Sequence, residues 1–148
     1  MTEVTISVGS STDVGRVRDH NEDALLVTDR LWAVADGMGG HAAGEVASAL
    51  TVEVLGDVVR SQTEGALTTD LVVSAVDASH RALHQSMKLH REQRGMGTTL
   101  TGVALVSHDD QDCWAVFNIG DSRVYRLHAG ELVQVTADHS EVQELIDA

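Results

Sequence analysis

The chain has 148 residues, enough for one domain with a hydrophobic core, and 43% of them are apolar, as in an ordinary globular protein. Ten basic residues against 23 acidic ones leave a formal net charge of -13; that field repels nucleic acid and anionic membranes and favours cations. The single cysteine, Cys113, excludes an internal disulfide and suits a reducing cytoplasm, and neither a leader peptide nor a run of the ~20 apolar residues that span a bilayer is read from the sequence.

Taken in chain order, residues 4–8 and 23–27 are β-branched or leucine-rich runs that predict strands, and "LWAVA" (31–35) predicts a third. From Ala43 the period changes. Ala43, Val46, Ala47, Leu50, Val54 and Val58 recur at three- and four-residue steps, giving an amphipathic helix to about Arg60. After the polar link "SQTEGALTTD", a second helix is expected over 70–93, with Val72, Ala75, Val76, Leu83 and Met87 as its buried stripe. Beyond Gly95 and Gly97, "TTLTGVALV", "CWAVFNI", "RVYRL" and "LVQVT" predict strands, joined through the hairpin-type connections "SHDDQD" and "HAGE". The tail "HSEVQELIDA" starts a helix capped by Asp138 or Ser140. Strands, two helices, then strands again predict one α+β domain with antiparallel sheet, not alternating βαβ units.

The acidic residues beside glycine are the chemical signal. Asp36-Gly37 ends the strand "LWAVA", Asp121 follows Gly120 at the end of "CWAVFNI", and Asn21-Glu22-Asp23 opens "ALLV". Carboxylates at strand ends can converge from distant positions, and a hard dication such as Mg²⁺ or Mn²⁺ takes carboxylates, a backbone carbonyl and retained waters. Each pair taken alone reads equally as an Asp-Gly turn. Arg18, in "RDHNED", is either a surface ion-pair partner or a fork that holds a phosphate bidentately. "GMGTTL" (95–100) brings two hydroxyl side chains into a strand, as support for a nearby site or as ordinary β propensity.

"RVRDHNEDALLV", "LWAVADGMGGHAAGEVAS", "GMGTTL", "NIGDSRVYRL" and "LVQVTADHS" occur in this order from about residue 14. Together they resemble consecutive motifs of the metal-dependent Ser/Thr protein phosphatases (PPM family, type 2C), in the bacterial style. The resemblance implies a four-layer αββα sandwich of antiparallel sheets flanked by helices. It also implies hydrolysis of phosphoserine and phosphothreonine in proteins by a metal-bound hydroxide. The partners would be phosphoproteins, among them Ser/Thr kinases and their substrates, and the cofactors two Mn²⁺ or Mg²⁺ ions with a third, weaker one. Matched to those motifs, Arg18 is the phosphate-binding arginine. Glu22 and Asp23 are the acidic pair near the metals, Asp36 the bridging aspartate, Gly37 a carbonyl ligand and Asp121 the ligand of the third ion. Met38 stands where many eukaryotic members have histidine, so no general acid is assigned, and His41 is not promoted in its place. The family domain continues through Ser-Asp-Gly and Asp-Asn motifs that this sequence does not contain; Asp138 and Asp147 match neither. The 148 residues are therefore expected to be the N-terminal part of one such domain, poorly folded and scarcely active alone.

Three other readings fit parts of the sequence. Gly37, Gly39 and Ala42 satisfy the G-x-G-x-x-A form of a dinucleotide site, and Asp57 has the spacing of its ribose acid but sits in a helical pattern. His80 and His84 are spaced as in H-E-x-x-H, but Arg81 replaces the glutamate, and the adjacent letters of "DHS" (138–140) cannot align as a triad. A non-catalytic fragment that holds a phosphopeptide or partner is the remaining alternative.

Overall fold

The computed structural model describes residues 5–39, 43–62, 66–109 and 111–139. One antiparallel sheet carries β1 (Asp23–Val27), β2 (Leu31–Met38), β4 (Leu100–His108) and β5 (Gln111–Ile119) in that order, and the two-residue β3 (Gly97–Thr98) pairs with the end of β2. Two helices, α1 (Ala43–Ser61) and α2 (Thr69–Leu89), follow each other between β2 and β3. The last two strands, β6 (Tyr125–His128) and β7 (Glu131–Gln134), form a separate hairpin. The α+β reading with antiparallel sheets holds.

Alternation along β2 explains the layering. Leu31, Ala33, Ala35 and Gly37 are buried while Val34, Asp36 and Met38 face outward. The inward residues join Leu26, Leu100, Ala104 and Val106 from the neighbouring strands, Leu55 of α1, and Val72 and Ala75 of α2 in the main core. Small residues on both partners bring α1 onto the sheet: Ala43, Gly44, Ala47, Ser48 and Thr51 are all buried. Glu45 in its first turn and Arg60 in its last complement the helix dipole. α2 begins at an N-cap, where Thr68 accepts from the Leu71 backbone N–H at 3.3 Å.

The helix expected over 70–93 ends at Leu89, because His90 adopts an extended conformation, and residues 91–93 make a single 3-10 turn. Its predicted stripe is real: Val72 and Ala75 are buried, and Val76, Leu83 and Met87 pack against the two core clusters. Residues 5–8 form no strand. Ile6 and Val8 instead line shallow cavities with Val27 and Trp32, so the apolar run covers a sheet face without joining a ladder. The Asp138 carboxylate is held by Arg123 through Nε at 2.8 and 3.1 Å and through Nη2 at 2.5 Å. Val4, His41, Ala42, Ser140 and the rest of the expected tail helix, Asp147 included, lie outside the described residues.

The sheet's outer face is only partly covered. Trp114 of β5 is 56% exposed, and a cleft of about 610 Å³ separates Val103, Trp114 and Val116 from Val124, Val133 and Val135 of the hairpin region. The described residues thus supply two helices, one larger sheet and a separate two-stranded one.

Candidate active site

The site begins with a register. β1 and β2 pair antiparallel so that Asp23 lies directly opposite Asp36, and Ala24, Leu25, Leu26 and Val27 face Ala35 back to Trp32. Carboxylates from sequence positions 13 apart are therefore cross-strand neighbours, where Cβ atoms stand ~4.5–5.5 Å apart. At the far end of the hairpin the Thr28 hydroxyl accepts from the Leu31 N–H and donates to the Leu31 carbonyl, both at 2.8 Å, and this fixes the turn.

Two neighbouring elements hold the Asp36 peptide. Its N–H donates to Thr99 Oγ1 at 3.0 Å, and its carbonyl accepts from the Thr99 N–H at 2.9 Å and from Thr98 Oγ1 at 3.0 Å. Thr99 Oγ1 also shares a 2.7 Å hydrogen bond with Ser122 Oγ, next to Asp121. One threonine thus ties the Asp36 strand to the Asp121 loop. That loop turns at Gly120, whose positive φ of 96° suits glycine, and a Cβ there would lie 2.8 Å from Thr99 Cγ2. Asn118 Nδ2 donates to the carbonyls of Gly120 and Ala137, closing the loop from below.

Glycine after Asp36 also has a steric reason. A Cβ on Gly37 would overlap the Gly44 carbonyl of α1 and approach the Glu22 carbonyl oxygen to 2.8 Å. The Gly37 N–H donates to that same Glu22 carbonyl at 3.1 Å, and Ser48 Oγ of α1 donates to it at 2.5 Å. The Glu22 carboxylate lies over Gly44, where a side chain would strike Oε1. β2, the entry to β1 and the first turn of α1 therefore meet through bare backbone.

Electrostatics mark Asp36 as the centre. Burial first, and then the charges of Asp23 and Asp121, hold its carboxyl above the ordinary aspartate value, while the Arg18 guanidinium pulls the other way. Arg18, Asp23 and Asp121 are all exposed, so the cluster opens to solvent. Repelling carboxylates at one locus favour a cation, and their hard oxygens suit Mg²⁺ or Mn²⁺. Among the described residues, however, no three His, Cys, Asp or Glu side chains come close enough together to enclose a metal ion. Asp23 and Asp36 are adjacent, Asp121 and Arg18 act on Asp36 through space, and Glu22 contributes its carbonyl to the backbone and its carboxylate to the edge of α1.

Sequence reading missed Ser48, Asn118 and Ser122. A serine inside the buried stripe of α1 was a usable signal for Ser48; the other two become visible only once the loops are assembled. The rivals lose their context here. Asp57 lies inside α1 and pairs with Arg60 at 2.9 Å, and α1 leads into α2, with no parallel strand among the described residues between them. No helix among the described residues is long and apolar enough to cross a membrane.

Comparison with known proteins identifies the family and the fold. The family model described as protein phosphatase 2C matches residues 15–145. The serine/threonine protein phosphatase PstP of Mycobacterium tuberculosis is 40% identical over 149 residues, a match spanning 99% of this chain but 28% of that protein. A crystal structure of the PstP catalytic domain in complex with two manganese ions superposes with a TM-score of 0.78 at 41% identity, covering 90% of this chain and 56% of that one. A PPM Ser-Thr phosphatase from Mycobacterium smegmatis, in complex with cacodylate, gives 0.79 at 36% identity, covering 93% and 55%. The chain therefore spans little more than half of the solved domains it matches.

Proposed function

The chain belongs to the protein phosphatase 2C family, and on that premise we propose that it carries the first half of a site for hydrolysing phosphoserine and phosphothreonine in proteins. The observation that carries the reading is the register that sets Asp23 opposite Asp36, with Asp121 and Arg18 acting on the same carboxyl. Asp36, the Gly37 carbonyl and, through water, Glu22 and Asp23 are the groups that would hold Mn²⁺ or Mg²⁺, with Asp121 offered to a third ion. Such ions, when bound, lower the pKa of water enough to supply hydroxide near neutral pH.

The chain's own residues do the rest. Arg18, exposed beside the carboxylates, forks onto phosphoryl oxygens and offsets their charge. Thr99 keeps Asp36 and the Asp121 loop in one arrangement, so little reorganisation accompanies substrate binding. Cys113 faces the core beside Ala115 and Phe117 and takes no part. The single thiol also suits a cytoplasmic enzyme acting on phosphoproteins, Ser/Thr kinases among them. The 148 residues form the N-terminal part of one domain and turn over little substrate by themselves.

A non-catalytic, phosphopeptide-holding role is the second reading, favoured by the lack of a three-carboxylate cage among the described residues. Two measurements separate the readings. Phosphothreonine-peptide hydrolysis is followed with and without Mn²⁺, on this chain and on a version extended to the length of the solved domains. Peptide binding is measured in parallel without metal. Mn²⁺-dependent turnover in the extended version, lost in Asp36→Asn, upholds hydrolysis. Metal-independent binding with no turnover in either version would leave only the second reading.

A further inference from the structure

His80 and His84 stand one helical turn apart on α2, both exposed. Their Nε2 atoms are 3.0 Å apart, with ring planes at 75°. So close an approach requires at least one of these nitrogens to present a lone pair, since two N–H groups would repel. With protons on both Nδ1 atoms, both Nε2 atoms present lone pairs, 3.0 Å apart. Metal–imidazole bonds run ~2.0–2.1 Å, and two of them closing over this chord meet at about 94°. That is the cis angle of a tetragonal site, which Cu²⁺ and Ni²⁺ prefer; tetrahedral Zn²⁺ would need the nitrogens roughly 0.3–0.4 Å further apart.

The scaffold is rigid on the opposite side of the helix. Val72, Ala75 and Ser79 of α2 are buried, and Ser79 Oγ donates to the Thr51 carbonyl of α1 at 3.1 Å. Neither histidine belongs to the core clusters on that side. The net charge of -13 raises the local concentration of cations. We infer that His80 and His84 form a surface chelate for a late first-row divalent cation, Cu²⁺ and Ni²⁺ ahead of Zn²⁺. This site differs in kind from the carboxylate cluster: imidazole nitrogen selects these metals, while carboxylate oxygen selects Mg²⁺ and Mn²⁺. Among the described residues no third His, Cys, Asp or Glu joins the pair, so water fills the remaining positions and binding is reversible.

The test uses the 148-residue chain held in excess Mn²⁺ and titrated with Ni²⁺ by calorimetry, with Cu²⁺ paramagnetic resonance alongside. The expected result is one saturable Ni²⁺ site, with His80→Ala and His84→Ala each weakening it on the order of 10²-fold as the chelate becomes a single ligand. The Cu²⁺ spectrum should show coupling to two nitrogens, reduced to one in either variant. That signature is local to α2 and survives self-association, and circular dichroism checks that each variant keeps its helices. Equal Ni²⁺ affinity in the wild type and the double variant, or a Cu²⁺ spectrum unchanged by it, would overturn the assignment and leave a plain histidine–histidine hydrogen bond. The outcome is independent of phosphatase activity.

Discussion

Replacing Gly37 by alanine tests the bare-backbone junction. The added Cβ would lie 2.5 Å from the Gly44 carbonyl carbon and 2.8 Å from the Glu22 carbonyl oxygen, both main-chain atoms. Ordinary contacts of this kind sit near 3.5 Å, so α1 and the entry to β1 must separate by roughly 1 Å. Overpacking costs about 1–3 kcal/mol when side chains can yield. Here only backbone faces the methyl, which puts the loss at the upper end, about 3 kcal/mol against a total stability of ~5–15. For a domain of this size that lowers Tm by roughly 10 °C. Gly44→Ala should lose less, because it strikes mainly the flexible Glu22 carboxylate and gains up to ~1 kcal/mol of helix propensity. Gly9→Ala, with no atom within 4 Å, is the neutral control. Thermal melts followed by circular dichroism decide the matter. If Gly37→Ala melted within a degree of Gly9→Ala, the close approach of α1 to β2 would be wrong.

Thr99→Val should destabilise by about 1–3 kcal/mol in chemical denaturation, because it leaves the half-buried Asp36 N–H and the Ser122 hydroxyl without their partner. Thr99→Ser keeps both bonds and loses only the methyl beside Gly120, about 0.8 kcal/mol. Without metal, Asp36→Asn should raise Tm at neutral pH, since it removes a charge that burial, Asp23 and Asp121 all disfavour; a lower Tm would contradict that crowding. In the Arg123–Asp138 pair the hydrogen bonds from Arg123 hold the Asp138 carboxyl below 3.8. Its contribution is therefore present above pH 3.8 and is lost as pH falls through the lower, folded-state value. Asp138→Asn should flatten that acid limb in pH-dependent melts and leave the neutral-pH limb unchanged in slope.

The sequence disclosed most where one period governed a long stretch. The stripes of α1 and α2 needed only spacing, and "LWAVA" was legible as a strand from its apolar run alone, its in–out alternation emerging only with the sheet. It failed at residues 5–8, where a β-branched run has the composition of a strand, but pairing depends on a free partner edge, which composition does not encode. The end of α2 was overrun because no breaker residue stands between Met87, the last of the stripe, and Gln93, while the backbone already turns extended at His90. Asp36, Asp23, Asp121 and Arg18 were legible as a set through motif order. Their physical coupling was not, because the register of β1 on β2 and the Thr99–Ser122 bond join positions far apart in the chain. The motif match makes Gly37 a carbonyl ligand; the structural constraint on its bare Cα is the carbonyl of Gly44.

The Thr28 turn has a further consequence. It lies five residue pairs from Asp23 and Asp36, yet it decides which residue of β2 stands across from Asp23. Adding or deleting one residue there would leave every side chain of the acidic cluster present in the polypeptide and still send one carboxylate to the opposite surface of the sheet. The reach between the two acids is therefore measured out by a short polar bend that never touches them. Loop lengths elsewhere, such as the β4–β5 connection, are free to drift without disturbing that spacing.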